Sequence, residues 1–71
     1  MKVKNNNIRA IREAQRPKKH MSDLARLIGC SNPYMHDVEM GSRGISVENL
    51  EKIADYLGVS VNDLINSEES A

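Results

Sequence analysis

KHMSDLARLIGCSNPYMHDVEMGSRGIS, residues Lys19 to Ser46, holds two short helical patterns separated by only about three residues. The first runs from about Met21 to Ile28, where Leu24, Ala25 and Ile28 share one apolar face. Gly29 follows at the place where a helix end often needs a left-handed residue. Ser31 is a good N-cap for the second pattern, which covers about 32–40. Pro33 is tolerated there because it falls in the first turn, where its missing N–H had no partner to lose. Met35 and Val38 point inward, Gly41 closes the helix and Gly44 marks a loop. The intervening Gly29, Cys30 and Ser31 force a sharp turn. Ala25 must be small because the second helix crosses over it, and Gly29 must accept a backbone conformation hostile to a side chain.

Three more helices flank this pair. Upstream, a helix is expected from about Asn7 to Gln15, with Ile8 and Ile11 on one face and Asn5, Asn6 or Asn7 as cap. Pro17 ends it, since the residue before a proline is pushed out of the helical region. Downstream, a helix starts after Ser46. Leu50, Ile53, Ala54 and Leu57 give it an i, i+3, i+4, i+7 stripe. Glu48 suits its dipole and Gly58 stops it. A fifth helix follows Ser60, with Asp63 three residues on, close to a capping box, and Leu64 and Ile65 as anchors. Asn66 to Ala71 is polar and expected to fray. The reading is an all-α, five-helix unit whose second and third helices form a helix-turn-helix.

The chain has 71 residues and 39% apolar composition, with no Trp and no Phe. That suits a single domain over 1–71, its core at about 7–66 between polar N- and C-terminal tails, built from Ile, Leu, Val, Met and Ala. Cys30 is the only cysteine, so neither an internal disulfide nor a thiol metal cluster is expected, and Cys30 reads as a core thiol. His20 and His36 have no carboxylate or thiol cluster around them, so no metal role is assigned. No run of about 18 apolar residues is present to span a membrane, and a reduced, cytoplasmic setting is the simplest reading. An enzyme is not expected. There is no Ser-His-Asp arrangement, no glycine-rich phosphate loop and little room for a pocket. No cofactor or small-molecule ligand is evident.

Net charge is zero, but its distribution is not even. From Met1 to Arg26, eight basic residues face only Glu13 and Asp23. From Leu27 to Ala71, Arg43 and Lys52 face eight acids. A molecule so polarised can present a basic face to phosphates and turn its acidic side away.

The segment from Lys19 to Ser46 resembles the helix-turn-helix of the Cro/CI and Xre-type repressors. IRAIRE, Ile8 to Glu13, is similar to that family's first helix. LEKIADYLGVSVNDLI, Leu50 to Ile65, is similar to its fourth and fifth, including the Leu-Gly-Val-Ser step between them. The resemblance therefore covers about Ile8 to Ile65 and implies a lambda-repressor-like domain that binds double-stranded DNA. It also implies roles. Asn32, Pro33, Tyr34, His36 and Asp37 match the exposed, base-reading positions of the recognition helix. Met21 holds the place of a glutamine that usually touches phosphate, and Arg43 matches a basic loop position that meets the backbone. Arg12 and Glu39 match an arginine and a glutamate that pair between helices one and three. Ala25, Gly29, Met35 and Val38 complete the structural motif.

Three departures stand out. Met21 hydrogen-bonds phosphate poorly, Pro33 donates nothing, and Arg16-Pro17-Lys18-Lys19 lengthens the first link by about two residues while adding charge. In the expected docking, helix three enters the major groove. Asn32 pairs with adenine, His36 meets several base edges, Tyr34 meets a phosphate or a thymine methyl, and Asp37 accepts from cytosine, filters specificity by repelling phosphates or is simply a helix-surface residue. Lys18, Lys19, His20, Met21, Ser31 and Arg43 line the DNA backbone, partly through helix N-termini after His20 and Ser31. One such helix contacts few base pairs, so a homodimer on a palindromic operator is expected, its surface near Tyr56 and Ile65. The alternative is a protein-interaction module or an antitoxin on the same fold.

Overall fold

Three serines start three of the helices in the computed structural model, which describes residues 2–65. Ser31 Oγ accepts the Tyr34 N–H at 3.2 Å and opens α3 (Asn32–Glu39). Ser46 Oγ accepts the Asn49 N–H at 3.2 Å and opens α4 (Val47–Leu57). Ser60 and Asp63 close a reciprocal capping box on α5 (Val61–Leu64), at 3.2 and 3.1 Å. Each bond satisfies a backbone donor that the helix itself leaves unpaired, worth about 1 kcal/mol. The other two helices are α1 (Ile8–Glu13) and α2 (Met21–Ile28). At α1 the N-cap is Asn7, whose side chain makes no capping bond, and the preceding Asn6 Oδ1 accepts the Ile8 N–H at 3.0 Å instead. Helix α1 ends at Glu13 and α5 at Leu64, so Ile65 lies beyond the last helix in extended backbone.

The five helices enclose one core. Ile8, Leu24, Met35, Val38, Leu50, Ile53 and Leu64 are fully buried, with Ala25, Ala54, Ile45 and Leu57 nearly so. They include the α2 face, the inward side of α3 and the whole α4 stripe. Burying each large side chain contributes about 1.5–3 kcal/mol. Helix α2 packs on α3 and α4, and α4 packs on α5. No described helix is long and apolar enough to cross a membrane.

The all-α expectation needs one correction. Lys2–Val3 forms a short strand, β1, antiparallel to β2 (Ile45–Ser46), with Lys2 opposite Ser46 and Val3 opposite Ile45. An isolated bridge joins Asn6 to Ile65. The N-terminal segment is therefore structured where a polar tail was expected. Val3 packs against the core beside buried Ile45, and the strand pairs backbone groups that would otherwise face water. Ile65 is partly buried against the core and pairs with Asn6. Asn66 to Ala71, expected to fray, lies outside the described residues.

Candidate nucleic-acid interface

The turn between α2 and α3 is built on Gly29. Its φ of 74° is left-handed, and both its own N–H and that of Cys30 reach the Ala25 carbonyl, the latter at 2.9 Å. This ends α2 abruptly and satisfies a carbonyl that would otherwise be orphaned. Ser31 then starts α3. Ala25, 2% exposed, lies beneath the crossing, and Met35 and Val38 lock α3 from below. One face of α3 is thereby fixed, and the opposite face is left to solvent.

That outer face carries Asn32, Pro33 and His36, all exposed. No hydrogen bond from the Asn32 or His36 side chain is present among the described residues. His36 Nδ1 stands 3.8 Å from Asp37 Oδ1, and the other Asp37 oxygen is 3.7 Å from Arg43 Nε. Asp37 thus faces two groups able to carry positive charge, which offsets its repulsion of an anionic ligand. Tyr34 behaves differently from its neighbours. It is half-buried, its hydroxyl donates to the Gly44 carbonyl at 3.3 Å, and its ring lies 5.2 Å from the Arg43 guanidinium. It props the loop that carries Arg43. The backbone of that loop is held too, since Ser42 and Arg43 N–H groups both donate to the Asp37 carbonyl, at 3.0 and 3.3 Å.

The residues expected along the DNA backbone fall into two groups. Lys18, His20 and Arg43 are exposed. Lys19, Met21 and Ser31 are already engaged within the fold. Lys19 Nζ sits 5.2 Å over the Tyr56 ring, Met21 packs against the core, and the Ser31 hydroxyl caps α3. The His20 N–H donates to Asp23 Oδ2 at 3.1 Å, which fixes the start of α2.

Behind this face, Arg12 of α1 clamps Glu39 at the end of α3. Arg12 Nε donates to Oε2 at 2.7 Å and Nη2 to Oε1 at 3.0 Å, while Nη1 donates to the Lys19 carbonyl at 3.1 Å. Arg12 is 7% exposed and the Glu39 side chain 3%. The hydrogen bond to Glu39 holds the Arg12 pKa above its usual value, outweighing the desolvation that pulls it down. On the wet side, the Arg9 hydrogen bond, at 3.3 Å, pulls the Glu13 carboxyl below its usual range.

Asn6 is a structural residue that the sequence reading left as one of three possible caps. Besides accepting the Ile8 N–H, its side chain donates through Nδ2 to the Val38 carbonyl at 2.9 Å and to the Lys4 carbonyl at 3.1 Å, which ties the N-terminal segment to α3. An Asn in a row of three Asn residues gave no signal for that long-range bond.

Residues 8–64 match the family model described as Helix-turn-helix. The chain is 35% identical over 68 residues to Control protein C.BamHI of Bacillus amyloliquefaciens, with 86% of this chain and 84% of that protein covered. Among solved structures it is similar to the hypothetical transcription factor NHTF from Neisseria, with a TM-score of 0.66 at 28% identity, covering 90% of this chain and 71% of that one. The family match runs from the first residue of α1 to the last of α5, across the Gly29 turn, the α3 face and the Arg12–Glu39 clamp. The chain belongs to the helix-turn-helix family, as a DNA-binding regulator of the Xre (Cro/CI) type and not an enzyme.

Proposed function

We propose that this chain is a sequence-specific transcriptional regulator that acts in the cytoplasm as a homodimer on a palindromic operator, with α3 in the major groove. One observation carries the reading. The outward face of α3 presents Asn32 and His36 to solvent while its inward face is locked by fully buried Met35 and Val38. A rigid helix with exposed amide and imidazole groups is what reading base edges requires. In this docking Asn32 pairs with adenine, His36 meets a purine edge, Pro33 makes an apolar contact and Asp37 accepts from cytosine. Tyr34 contributes chiefly by holding the Arg43 loop. Arg43, Lys18, His20 and the N-terminus of α2 meet phosphates, with Lys19, Met21 and Ser31 at the edge of the footprint. The names of the relatives, a control protein and a transcription factor, support a regulatory role.

Two copies give useful specificity where one helix reads only a few base pairs. Tyr56, 40% exposed on α4, is the apolar group around which the second copy is proposed to dock. The test is a fluorescence-anisotropy titration on randomised duplex DNA at two salt concentrations, with the bound sequences recovered. Enrichment of a two-fold site that requires Asn32 or His36 supports the reading. Salt-insensitive failure to bind removes it.

A protein-interaction module or antitoxin is the second reading. It is favoured by the Leu27 side chain, 38% exposed at the end of α2, and by the poor phosphate chemistry of Met21 and Pro33. Flow-through on heparin at low salt, with capture of a partner protein, would favour it.

A further inference from the structure

Lys2 and Lys4 flank the one residue that β1 turns inward. Val3 packs against the core opposite Ile45, and side chains alternate along a strand, so its two neighbours stand on the outer face, where both are exposed. The antiparallel register sets Lys2 opposite Ser46. The two lysines therefore lie along the segment between Arg43 and the start of α4.

Gly44 makes the approach close. A Cβ on Gly44 would sit 2.8 Å from Lys2 Cβ and 3.5 Å from its Cδ, so the Lys2 stem runs across bare loop backbone. The Gly44 carbonyl is the acceptor of the Tyr34 hydroxyl, which comes from the first turn of α3. The next residues stay near α3. The Lys4 carbonyl lies 3.6 Å from where a Gly41 Cβ would be, and Asn6 donates to both the Lys4 and the Val38 carbonyls. The N-terminal segment is thus fastened along the loop end of α3. The acids on the adjoining elements are Asp37 and Glu39 of α3 and Glu48 at the start of α4; Asp37 is paired with Arg43 and Glu39 with Arg12.

We infer that Lys2 and Lys4 are DNA-backbone residues, carried by β1 to the Arg43 side of α3, where they bind phosphates flanking the base-reading contacts. The inference rests on the DNA-binding reading above and adds to it a contact surface outside the helix-turn-helix itself. Such contacts add affinity without sequence information, because phosphate is the same at every step.

The test compares the full chain with the Lys2→Gln/Lys4→Gln variant, which keeps the aliphatic stem over Gly44. Binding is titrated between 50 and 200 mM salt on the preferred duplex and on a random one. Loss of two phosphate contacts lowers the slope of log affinity against log salt by about 1.8, so the parent loses about 12-fold more affinity than the variant over that range. The preference for the specific duplex stays at the parent value, and Lys2→Arg/Lys4→Arg restores the slope. A parent slope in the glutamine variant, with its thermal unfolding unchanged, overturns this inference alone. A parent that binds neither duplex overturns the DNA-binding reading and this inference with it.

Discussion

Arg12 and Glu39 are joined at two points, 2.7 and 3.0 Å, with both side chains almost wholly withdrawn from water. The pair bolts α1 to the end of α3, the helix with the proposed reading face. The third Arg12 bond, to the Lys19 carbonyl, also fixes the residue just before α2. One guanidinium therefore holds three parts of the chain in register. Its planar fork makes this possible, since a lysine ammonium is a single point donor without the parallel N–H pair that meets both carboxylate oxygens.

Breaking the pair from one side leaves a buried charge without a partner. Glu39→Ala or Arg12→Ala is expected to destabilise the fold by about 3–5 kcal/mol, read as a lower urea midpoint at unchanged m-value. The double change Arg12→Met/Glu39→Leu is expected to recover most of that loss, because it removes both desolvation costs. Equal losses in the single and double variants would show that packing, not charge pairing, dominates there.

The left-handed glycines separate backbone strain from crowding. At Gly29 and Gly58 φ is 74° and a Cβ would meet nothing within 4 Å. Gly29→Ala and Gly58→Ala are each expected to cost about 1–2 kcal/mol from conformation alone. Gly44 has an ordinary φ but its Cβ would collide with Lys2. Gly44→Ala is expected to push β1 away, and pairing it with Lys2→Gly relieves the collision. A double-mutant cycle on urea midpoints measures the coupling, and strictly additive effects would show that β1 is not held there.

Cys30 sits half-buried in the turn, and desolvation raises its thiol above the ordinary value of 9.0. The folded state favours the protonated form, so this stability is complete below pH 9.0 and falls as pH rises through the folded value. Comparing urea midpoints of the parent and Cys30→Ala from pH 7 upward isolates it, since other titrations cancel. Their difference is expected to be flat up to about pH 9 and then to shrink. Alkylation at pH 8 is expected to be slower than for an exposed peptide thiol.

Local signals were legible in the sequence, and long-range ones were not. Ser31, Ser46 and Ser60 cap helices through bonds to residues three positions on, so each cap can be read from its own turn. The apolar stripe of α4 is likewise periodic within one segment. Strand β1 offers no such pattern, because two residues are too few for alternation to show and its partner lies more than forty residues away. The bond made by Tyr34 is hidden for the same reason. Its position on α3 suggests an outward aromatic, and only the fold brings the Gly44 carbonyl to its hydroxyl.

The α3 face and the Arg43 loop are expected to fail in different ways. Asn32→Ala and His36→Ala remove groups proposed to touch base edges, so each should cost about 1–3 kcal/mol on the preferred duplex and little on a random one. Arg43→Gln removes a phosphate contact, so it should weaken both duplexes alike and lower the salt slope by about 0.9. Tyr34→Phe keeps the ring beside Arg43 but loses the bond to Gly44, which should cost about 1 kcal/mol of stability while sequence preference stays with Asn32 and His36. Anisotropy on both duplexes, beside urea unfolding of each variant, reads all four together. A change of preferred sequence in Tyr34→Phe would mean that the hydroxyl leaves Gly44 on binding and reads the groove after all.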